Sequence, residues 1–387
     1  IEFLHRVGRD GGKARNLNIG LGLKPLAGEY YDPKSDLYFL IDSDIEFPPD
    51  ILRKSLPEFN TNPRLPFVIF EADDLADNNL FNSSLAAINM AAQHNVVGIE
   101  NAGFTTSGGY GLLYNRQAWN VIGGWKENFV GEDWATGIAL RTASEYFTKG
   151  KRVSYVKVID HTPEDLNGFK IQQQRWAKGG VETTLKLIPA LLKAKHIPWN
   201  EKIDILVRYS FYSTMVFSLV ILPALTAIVG TALSIAGNAS MGILSFFVEI
   251  YRGFFIPMLA AVGINTVFAF LRREKSVGLK NLLMFMPSLF AYGGVGLAVF
   301  KGLVQGLYDK KKVFNVTPKT RLENKGEFFR IIRQNWKEIT FGAALLGVGV
   351  FTLPYYLQFV ALVGLSFIIS PFMSLVKFNK KDKPERK

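Results

Sequence analysis

Two aspartates lie two positions apart in a polar segment that follows a short apolar run. The run 37–41 predicts a buried strand, and Asp42 and Asp44 come directly after it. Side chains at positions i and i+2 of extended backbone point the same way, so both carboxylates can reach one divalent cation, which in turn can neutralise a diphosphate. A turn or a helix cap also places acidic residues in loops, so this pair alone is weak evidence for a metal site.

A second acidic pair, Glu132 and Asp133, precedes the stretch 134–147, whose apolar periodicity predicts a helix. Carboxylates near the first helical turn are stabilised by the helix dipole, which is a sufficient structural reason for their presence. The chemical alternative is a general base, because a carboxylate within hydrogen-bond reach can accept the proton of an attacking hydroxyl group. On that hypothesis Asp133 is the base.

A third group combines an amide, a guanidinium and an indole. Gln172, Arg175 and Trp176 fall at i, i+3 and i+4, which places them on one face of the helix predicted over 166–178. Arginine binds diphosphate oxygens with two nitrogens at once, and tryptophan can stack on a sugar ring. An ordinary amphipathic helix whose arginine extends along its surface would show the same spacing.

Composition narrows the chemistry of any metal site. The 387 residues include no Cys and four His, which excludes disulfides and Cys/His metal sites and leaves oxygen ligands, as for Mg²⁺ or Mn²⁺. The formal net charge is +12, although 48% of the residues are hydrophobic. A basic solvated face or nucleic-acid binding also produces such a charge, but the apolar segments favour a membrane protein with basic cytoplasmic flanks, without nucleic acid as a partner.

Apolar segments dominate the chain after position 199: 209–233, 253–271, 282–307, 339–353 and 355–376. Each approaches the roughly 20 residues that a membrane-spanning helix needs. The basic segments that separate or follow them are expected on the cytoplasmic side: 272–280, 310–321 and 377–387. A crossing at 282–307 would place the first two of these on opposite sides of the membrane. We therefore interpret 282–307 as interfacial or re-entrant, which leaves four spans.

Before position 199, short apolar runs alternate with amphipathic stretches. Strands are predicted at 37–41, 67–70 and 153–159, and helices at 79–93, 134–147 and 166–178. This alternation predicts an α/β domain with a largely parallel sheet. The predicted organisation is a catalytic domain over 1–165, amphipathic interface helices over 166–204, two spans over 205–271, a cytoplasmic loop and interfacial helix over 272–308, a loop over 309–325, an interfacial linker over 326–338, two spans over 339–376 and a basic tail over 377–387.

The three motifs, in this order and followed by apolar spans, resemble the D, DxD, TED and QxxRW series of the family-2 processive glycosyltransferases, which include cellulose, chitin and hyaluronan synthases. Residues 314–319, Phe-Asn-Val-Thr-Pro-Lys, resemble the FxVTxK gating loop of cellulose synthases. Residues 13–18, Lys-Ala-Arg-Asn-Leu-Asn, resemble the Lys-Ala-x-x-Leu-Asn run that precedes their DxD motif.

The chain departs from that pattern in three places. Gly131 replaces the threonine of TED, and residues 105–111, on the acceptor side, lack the Phe-Cys-Gly start of the best-known cellulose synthases. The first aspartate of the series would lie upstream of Ile1, together with the first strands. We therefore expect the sequence to be a piece of a longer protein. Such a piece can be inactive by itself.

The resemblance implies a GT-A-type α/β domain followed by an α-helical transmembrane bundle with interfacial helices. It also implies an integral protein of the plasma or inner membrane with a cytoplasmic catalytic domain. The implied partners are a UDP-sugar, the growing polysaccharide, the lipid bilayer and accessory or homo-oligomeric synthase subunits. The favoured product is a cellulose-like β-glucan that is translocated across the membrane.

The resemblance also implies a mechanism, a single displacement with inversion at C1 of the UDP-sugar. In that mechanism Asp133 is the base. Five residues are implied to bind the nucleotide: Asp42, Asp44, Arg175, Thr317 and Lys319. Of these, Asp42 and Asp44 are also implied to hold Mg²⁺ or Mn²⁺. Those implied on the acceptor side are Glu132, Gln172 and Trp176. Two alternatives stay open: a non-processive glycosyltransferase that modifies a lipid such as ceramide, and a catalytically silent membrane scaffold derived from a synthase.

Overall fold

The structure is a computed structural model that describes residues 12–32, 35–42, 45–75, 79–143, 145, 147, 149–235, 249, 253, 283–308, 327–351 and 358–378. Several predicted features lie outside these residues. They are Asp44, nearly all of the apolar segment 253–271, and the segment 314–319 with Thr317 and Lys319.

The described residues form a mixture of strands and helices up to residue 161 and helices after it. The strands are β1 (Pro25–Leu26), β2 (Glu29–Tyr30), β3 (Leu37–Leu40), β4 (Phe67–Leu75), β5 (Leu112–Asn115) and β6 (Lys151–His161). The helices are α1 (Gly12–Gly20), α2 (Ile51–Thr61), α3 (Leu80–Ala102), α4 (Arg116–Val121), α5 (Glu132–Ala143), α6 (Leu166–Lys193), α7 (Trp199–Tyr209), α8 (Phe211–Val216), α9 (Leu222–Ile235), α10 (Phe285–Gly293), α11 (Gly296–Tyr308), α12 (Glu327–Gln334), α13 (Trp336–Phe351) and α14 (Gln358–Ile369).

The main sheet has four strands in the order β3-β5-β4-β6. Strands β3 and β4 both pair antiparallel with β5, whereas β4 and β6 are parallel, so β5 alone among these four runs in the opposite direction. The prediction of a largely parallel sheet is therefore wrong at β5, which the sequence analysis did not identify as a strand. The preceding loop has Gly108 and Gly111 at φ of 46° and 49°, a backbone conformation that glycine adopts without strain. A mixed sheet with helices fits a GT-A fold.

Apolar side chains cover both faces of this sheet. On one face, Trp119 of α4 packs with Phe67 of β4 and Ala14 of α1. On the other, Phe70 of β4 packs with Ile51 of α2. Burial of side chains of this size stabilises the fold by about 1.5–3 kcal/mol each, so the sheet is a firm support for the residues at its ends.

A further apolar cluster joins the α/β part of the chain to the later helices. It contains side chains from α3, α6, α8, α9, α10, α11, α13 and α14. Within the described residues, two helical stretches are long and apolar enough to cross a membrane by length and composition, Phe211–Ala232 and Pro287–Tyr308. The first continues through a π-helical turn, Phe217–Ile221, between α8 and α9.

Two predicted helices are longer than expected. Helix α3, predicted to end at 93, continues to Ala102, and α6, predicted to end at 178, continues to Lys193. Gly179 and Gly180 lie inside α6, where each costs about 1 kcal/mol relative to alanine. Tertiary contacts at these glycines, described below, explain why the helix continues through them.

Candidate active site

One lysine joins the end of strand β3 to the loop that precedes β5. Lys13 of α1 forms an ion pair with Asp42, which follows β3, and its Nζ also donates a hydrogen bond to the Gly109 carbonyl oxygen at 2.7 Å. The Asp42 side chain remains 39% exposed. We call residues 104–111 the glycine loop. The Gly109 carbonyl oxygen of this loop and the carboxylate of Asp42 thus both contact the ammonium group of Lys13.

The same glycine loop packs against the predicted base. Glu132 and Asp133 are the first two residues of α5, as the sequence analysis predicted. A Cβ atom added to Gly109 would lie only 2.8 Å from Asp133 Oδ2, so the Gly109 backbone lies directly against that carboxylate. Ser107 Oγ donates a hydrogen bond to the Asp133 backbone carbonyl. The tertiary structure therefore brings together Asp42 and Asp133, which are 91 positions apart in sequence.

The local environment raises the pKa of both acidic side chains. Burial, followed by the charge of Asp133, raises the pKa of Glu132 to about 7. Burial also raises the pKa of Asp133, although a hydrogen bond from the Trp134 backbone and the charges of Lys13 and Arg175 oppose the increase. A general base is most effective when its pKa lies near the working pH, so this environment suits proton transfer near neutrality.

Helix α6 carries the third predicted motif. Gln172 and Arg175 are partly exposed on this helix, and the Trp176 side chain is 44% exposed. The charge of Arg175 opposes the burial-driven rise in the pKa of both Glu132 and Asp133, so this guanidinium acts electrostatically on the acidic pair. An exposed indole one residue further along the helix is available to stack on a sugar ring.

A close backbone contact fixes α6 against the start of α5. A Cβ atom on Gly179 would lie 2.7 Å from the Gly131 nitrogen, a distance that no side chain tolerates without movement of the backbone. Beside it, Glu182 Oε2 accepts a hydrogen bond from the Val130 nitrogen at 3.0 Å. The motif on α6 is thereby held next to the turn that carries Asp133.

Aromatic residues of α5 and α7 hold the same turn. The Tyr209 hydroxyl donates to the Trp134 carbonyl oxygen at 2.9 Å, and the two rings meet edge to face. The Trp134 ring also packs near Gly180, where an added Cβ would lie 3.5 Å from it. Asp133 therefore lies at the junction of α5, α6 and the helix that leads into the first long apolar segment.

The carboxylate of Asp42 is the kind of ligand that a hard divalent cation binds. Nucleotide-bound Mg²⁺ usually takes one or two protein carboxylates and completes its coordination with phosphate oxygens and water. Asp42 offers such a carboxylate, and Asp44, the predicted second ligand, lies outside the described residues. In the described ranges, no group of three or more acidic or histidine side chains could hold a metal without a nucleotide. A site with only one or two carboxylates, as at Asp42, suits a cation that binds together with a diphosphate.

The sequence analysis did not assign a site role to three residues that the structure brings to this region: Lys13, Gly179 and Glu182. The signal for Lys13 was its place in the run that resembles Lys-Ala-x-x-Leu-Asn. The signal for Gly179 was a glycine pair within an otherwise helical pattern, which commonly has a packing reason. Glu182 had no distinctive local signal, because a single glutamate on a helix is usually exposed.

Comparisons with known proteins identify the family of this chain. A family model described as Glycosyl transferase family group 2 matches residues 39–271. The chain is 22% identical over 320 residues to a probable glycosyltransferase of Sulfolobus acidocaldarius, covering 81% of this chain and 65% of that protein. It is 26% identical over 215 residues to probable glucomannan 4-beta-mannosyltransferase 6 of Oryza sativa subsp. japonica, covering 55% of this chain and 36% of that protein.

A third relative is glucomannan 4-beta-mannosyltransferase 2 of Arabidopsis thaliana, 25% identical over 220 residues, which cover 55% of this chain and 38% of that protein. The chain spans less than two thirds of the length of each of these relatives. The family match covers more than half of the chain and contains all the site residues from Asp42 to Trp176. The chain therefore belongs to the glycosyl transferase family group 2.

Proposed function

We propose that this protein is a glycosyltransferase that extends a β-linked polysaccharide from a nucleotide-activated sugar and translocates the product across a membrane. The observation that carries the proposal is the bridge that Lys13 and Gly109 form between Asp42 and Asp133. It brings a residue suited to a metal–diphosphate group next to a residue suited to proton abstraction. The first candidate product is a glucan made from UDP-glucose. A mannosyl unit is the second candidate, because several relatives are named glucomannan 4-beta-mannosyltransferases.

In the proposed reaction, Asp133 accepts the proton of the acceptor's terminal hydroxyl as its oxygen attacks C1 of the donor sugar. The bond between C1 and the diphosphate oxygen breaks, and the diphosphate leaves with the bonding electrons. Because attack and departure occur on opposite faces of C1, the configuration inverts. Lys13 and Arg175 lie where their charges can stabilise the departing diphosphate, and Trp176 stacks on the acceptor sugar.

A divalent metal, when bound, would supply positive charge to the diphosphate. Asp42 and Asp44 are the residues proposed to hold it. Asp42→Ala is expected to weaken UDP binding in Mg²⁺ by at least about tenfold, the equivalent of about 1.4 kcal/mol, and to abolish most of its dependence on the metal. Calorimetric titration of UDP with Mg²⁺ and with EDTA measures both effects.

Asp36→Ala is a matched control, because Asp36 precedes the same strand but its side chain is 88% exposed. It should bind UDP as the unaltered protein does. Unchanged, metal-dependent UDP binding in Asp42→Ala would remove Asp42 from the proposed metal site.

The gating-loop proposal gains support from the two helices that flank residues 309–326. Helix α11 packs along α6 through Gly302 and Gly306. A Cβ atom added to Gly302 would collide with the Gln174 carbonyl oxygen, and one added to Gly306 would lie 2.9 Å from the Lys178 carbonyl oxygen. Asn335, which follows α12, contacts the beginning of α6. Its Oδ1 accepts a hydrogen bond from Lys170 Nζ at 2.8 Å. The flanking helices thus contact α6 on both sides of Arg175. We propose that Thr317 and Lys319 close over the nucleotide from there.

Two features support an arrangement in the membrane. Helix α7 exposes one apolar face, with a residue at every fourth position: Trp199, Ile203, Val207 and, at the start of α8, Phe211. An amphipathic helix with this pattern and a terminal tryptophan is suited to the membrane interface. We propose that α7 lies there, next to the catalytic domain on the cytoplasmic side.

The end of the described chain returns to the catalytic domain. The Leu80 nitrogen of α3 donates to the Val376 carbonyl oxygen at 2.8 Å, and Asn79 pairs with Lys377. A chain that leaves the domain at α7 and comes back to it at 376–377 crosses the membrane an even number of times. An even number agrees with the four spans that we propose. The length and composition of Pro287–Tyr308 would also allow a crossing, but the close packing of α11 along α6 supports a position of 282–307 at the interface.

Cysteine labelling tests this topology, because the chain contains no native cysteine. Single cysteines in place of Ser276, Lys311 and Lys383 are all expected to react with a membrane-impermeant maleimide only from the cytoplasmic side. Each position is compared in sealed inside-out and right-side-out vesicles. Reaction of position 311 from the outside would mean that 282–307 crosses the membrane.

A product assay tests the proposed function itself. Radiolabelled UDP-glucose, UDP-N-acetylglucosamine and GDP-mannose are offered separately, with Mg²⁺, to the full-length protein reconstituted in membranes. We expect label from UDP-glucose in a solvent-insoluble polymer that an endo-β-1,4-glucanase releases. Polymer from GDP-mannose that a β-mannanase digests would favour the second candidate. Label extracted only into organic solvent would identify a lipid glycosyltransferase, and no transfer from any donor would contradict the proposal.

A further inference from the structure

The juxtamembrane helix α7 carries an ion pair that faces the catalytic domain. Arg208 Nε donates to Asp204 Oδ1 at 2.9 Å, one helical turn earlier. Both side chains are largely buried, with exposures of 19% and 23%. Ser210 and α8 follow immediately, so these two residues lie where the catalytic domain meets the first long apolar segment.

This pair joins a second, more deeply buried pair. Glu100, near the end of α3, accepts a hydrogen bond from Arg152 Nε of β6 at 2.6 Å, and the two side chains are 3% and 5% exposed. Arg208 Nη1 lies 3.4 Å from Glu100 Oε1. We call Glu100, Arg152, Asp204 and Arg208 the α7 ion cluster. Its two positive and two negative charges balance.

The α7 ion cluster holds one side of the glycine loop. Asp204 Oδ2 accepts a hydrogen bond from the Phe104 nitrogen at 2.9 Å, and Glu100 Oε1 accepts one from Thr106 Oγ1 at 2.7 Å. Arg152 is also hydrogen-bonded to the Tyr110 side chain. Both ends of the loop are therefore attached to charged groups that α7 helps to position.

The other side of the glycine loop contacts the reacting groups. Ser107 Oγ donates a hydrogen bond to the Asp133 backbone carbonyl oxygen. The Gly109 backbone lies against the Asp133 carboxylate, and its carbonyl oxygen accepts a hydrogen bond from Lys13. The glycine loop thus lies between the α7 ion cluster and the base. A displacement of α7 would be transmitted to the surface beside Asp133 through hydrogen bonds of fixed geometry.

We infer that Asp204 and Arg208 are positioning residues that set the glycine loop for the incoming acceptor, through Phe104 and Glu100. The inference rests on the proposed function, since it assigns a role in that reaction. Burial of ion pairs carries a large desolvation cost, and well-packed apolar residues are often at least as stabilising, so stability alone does not explain the cluster. A fixed loop position does explain it, because efficient transfer requires the acceptor hydroxyl to be aligned with C1.

Donor hydrolysis provides the readout that separates positioning from mere stability. Water can also attack C1, with Asp133 as base, but it needs no alignment by the glycine loop. Arg208→Met should therefore lower transfer to a soluble oligosaccharide acceptor much more than it lowers hydrolysis of the nucleotide sugar. We expect the ratio of transfer to hydrolysis to fall about tenfold or more, since misplacement by about 1 Å can cost up to about 100-fold. Arg208→Lys, which keeps the charge, should restore part of the ratio.

The matched control is the other ion pair of the same helix. Glu201 accepts two hydrogen bonds from Arg141, at 2.7 and 3.0 Å, and their side chains are 8% and 14% exposed. This pair joins α7 to the end of α5 that is remote from Asp133. Glu201→Gln should lower the melting temperature about as much as Arg208→Met, yet leave the ratio of transfer to hydrolysis within about twofold of the unaltered value.

The outcomes separate the two proposals. A preserved ratio in a folded, UDP-binding Arg208→Met protein overturns the positioning role, and so does an equal fall in Glu201→Gln. If Arg208→Met does not fold, Asp204→Asn provides the same comparison, because it keeps an acceptor for the Phe104 nitrogen but removes the charge that orients Arg208. An unaltered protein that shows neither transfer nor hydrolysis with any nucleotide sugar contradicts the proposed function instead.

Discussion

Replacement of Asp133 by asparagine is expected to lower sugar transfer by about 10²–10⁴-fold, the range in which general-base catalysis typically acts. Asparagine has nearly the same shape and keeps an oxygen that can accept the hydrogen bond of the Trp134 nitrogen, which is 2.8 Å from Asp133 Oδ1. It cannot accept the proton of the acceptor hydroxyl. Binding of UDP with Mg²⁺ should remain within a few-fold, because Asp133 is not among the proposed nucleotide ligands.

The pH profile is a second readout of the same base. Only ionised Asp133 can accept a proton, and burial raises its pKa above the usual value of an aspartate. Turnover of the unaltered protein should therefore rise with pH through an apparent pKa above that of an exposed aspartate. Transfer by Asp133→Asn above about a tenth of the unaltered rate would exclude the base role.

Gly179→Ala is expected to lower transfer by about 100-fold, through displacement rather than loss of a reacting group. The added Cβ would lie 2.7 Å from the nitrogen and 2.9 Å from the Cα of Gly131, so α6 and the turn that carries Asp133 must move apart. Both the base and Arg175 depend on this contact for their relative position. Steady-state turnover with a fixed acceptor, at saturating donor, measures the effect.

Helix propensity predicts the opposite sign for the same change. Alanine stabilises a helix interior by about 1 kcal/mol relative to glycine. Gly179→Ala would therefore be neutral or stabilising if α6 did not approach the turn at Gly131. Gly131→Ala is the matched control, because its added Cβ would lie 3.4 Å from the Gly179 Cα, an ordinary contact distance. Similar activities of the two alanine variants would show that the close contact does not position the site.

The glycines illustrate which part of the fold was hidden in the sequence. Gly179 and Gly180 are ordinarily helix-weakening, and the predicted helix over 166–178 ended just before them. The structure continues α6 to Lys193 because the close approach to Gly131 and the packing near Trp134 need residues without side chains there. A local pattern cannot reveal a contact between residues 131 and 179, because it contains no information about the partner.

The direction of β5 was hidden for a related reason. Alternation and apolar runs identify strands but not their polarity, which depends on how the chain turns between elements. The run Leu112–Asn115 is short, and the turn before it uses Gly108 and Gly111 at positive φ. The strand therefore enters between β3 and β4 antiparallel to both.

The sequence by itself determined the reacting groups and their local placement: Asp42 after a strand, Glu132 and Asp133 at a helix start, and the Gln172, Arg175 and Trp176 set on one helical face. These features follow from residue chemistry and from backbone periods of two and 3.6 residues, which act over a few neighbouring positions. Only the tertiary structure decided that Lys13 and Gly109 join the two acidic sites and that α7 holds the glycine loop. Those contacts link residues about 30 to 100 positions apart, and they form only when the sheet and helices pack, since buried polar groups must then find partners wherever the fold provides them.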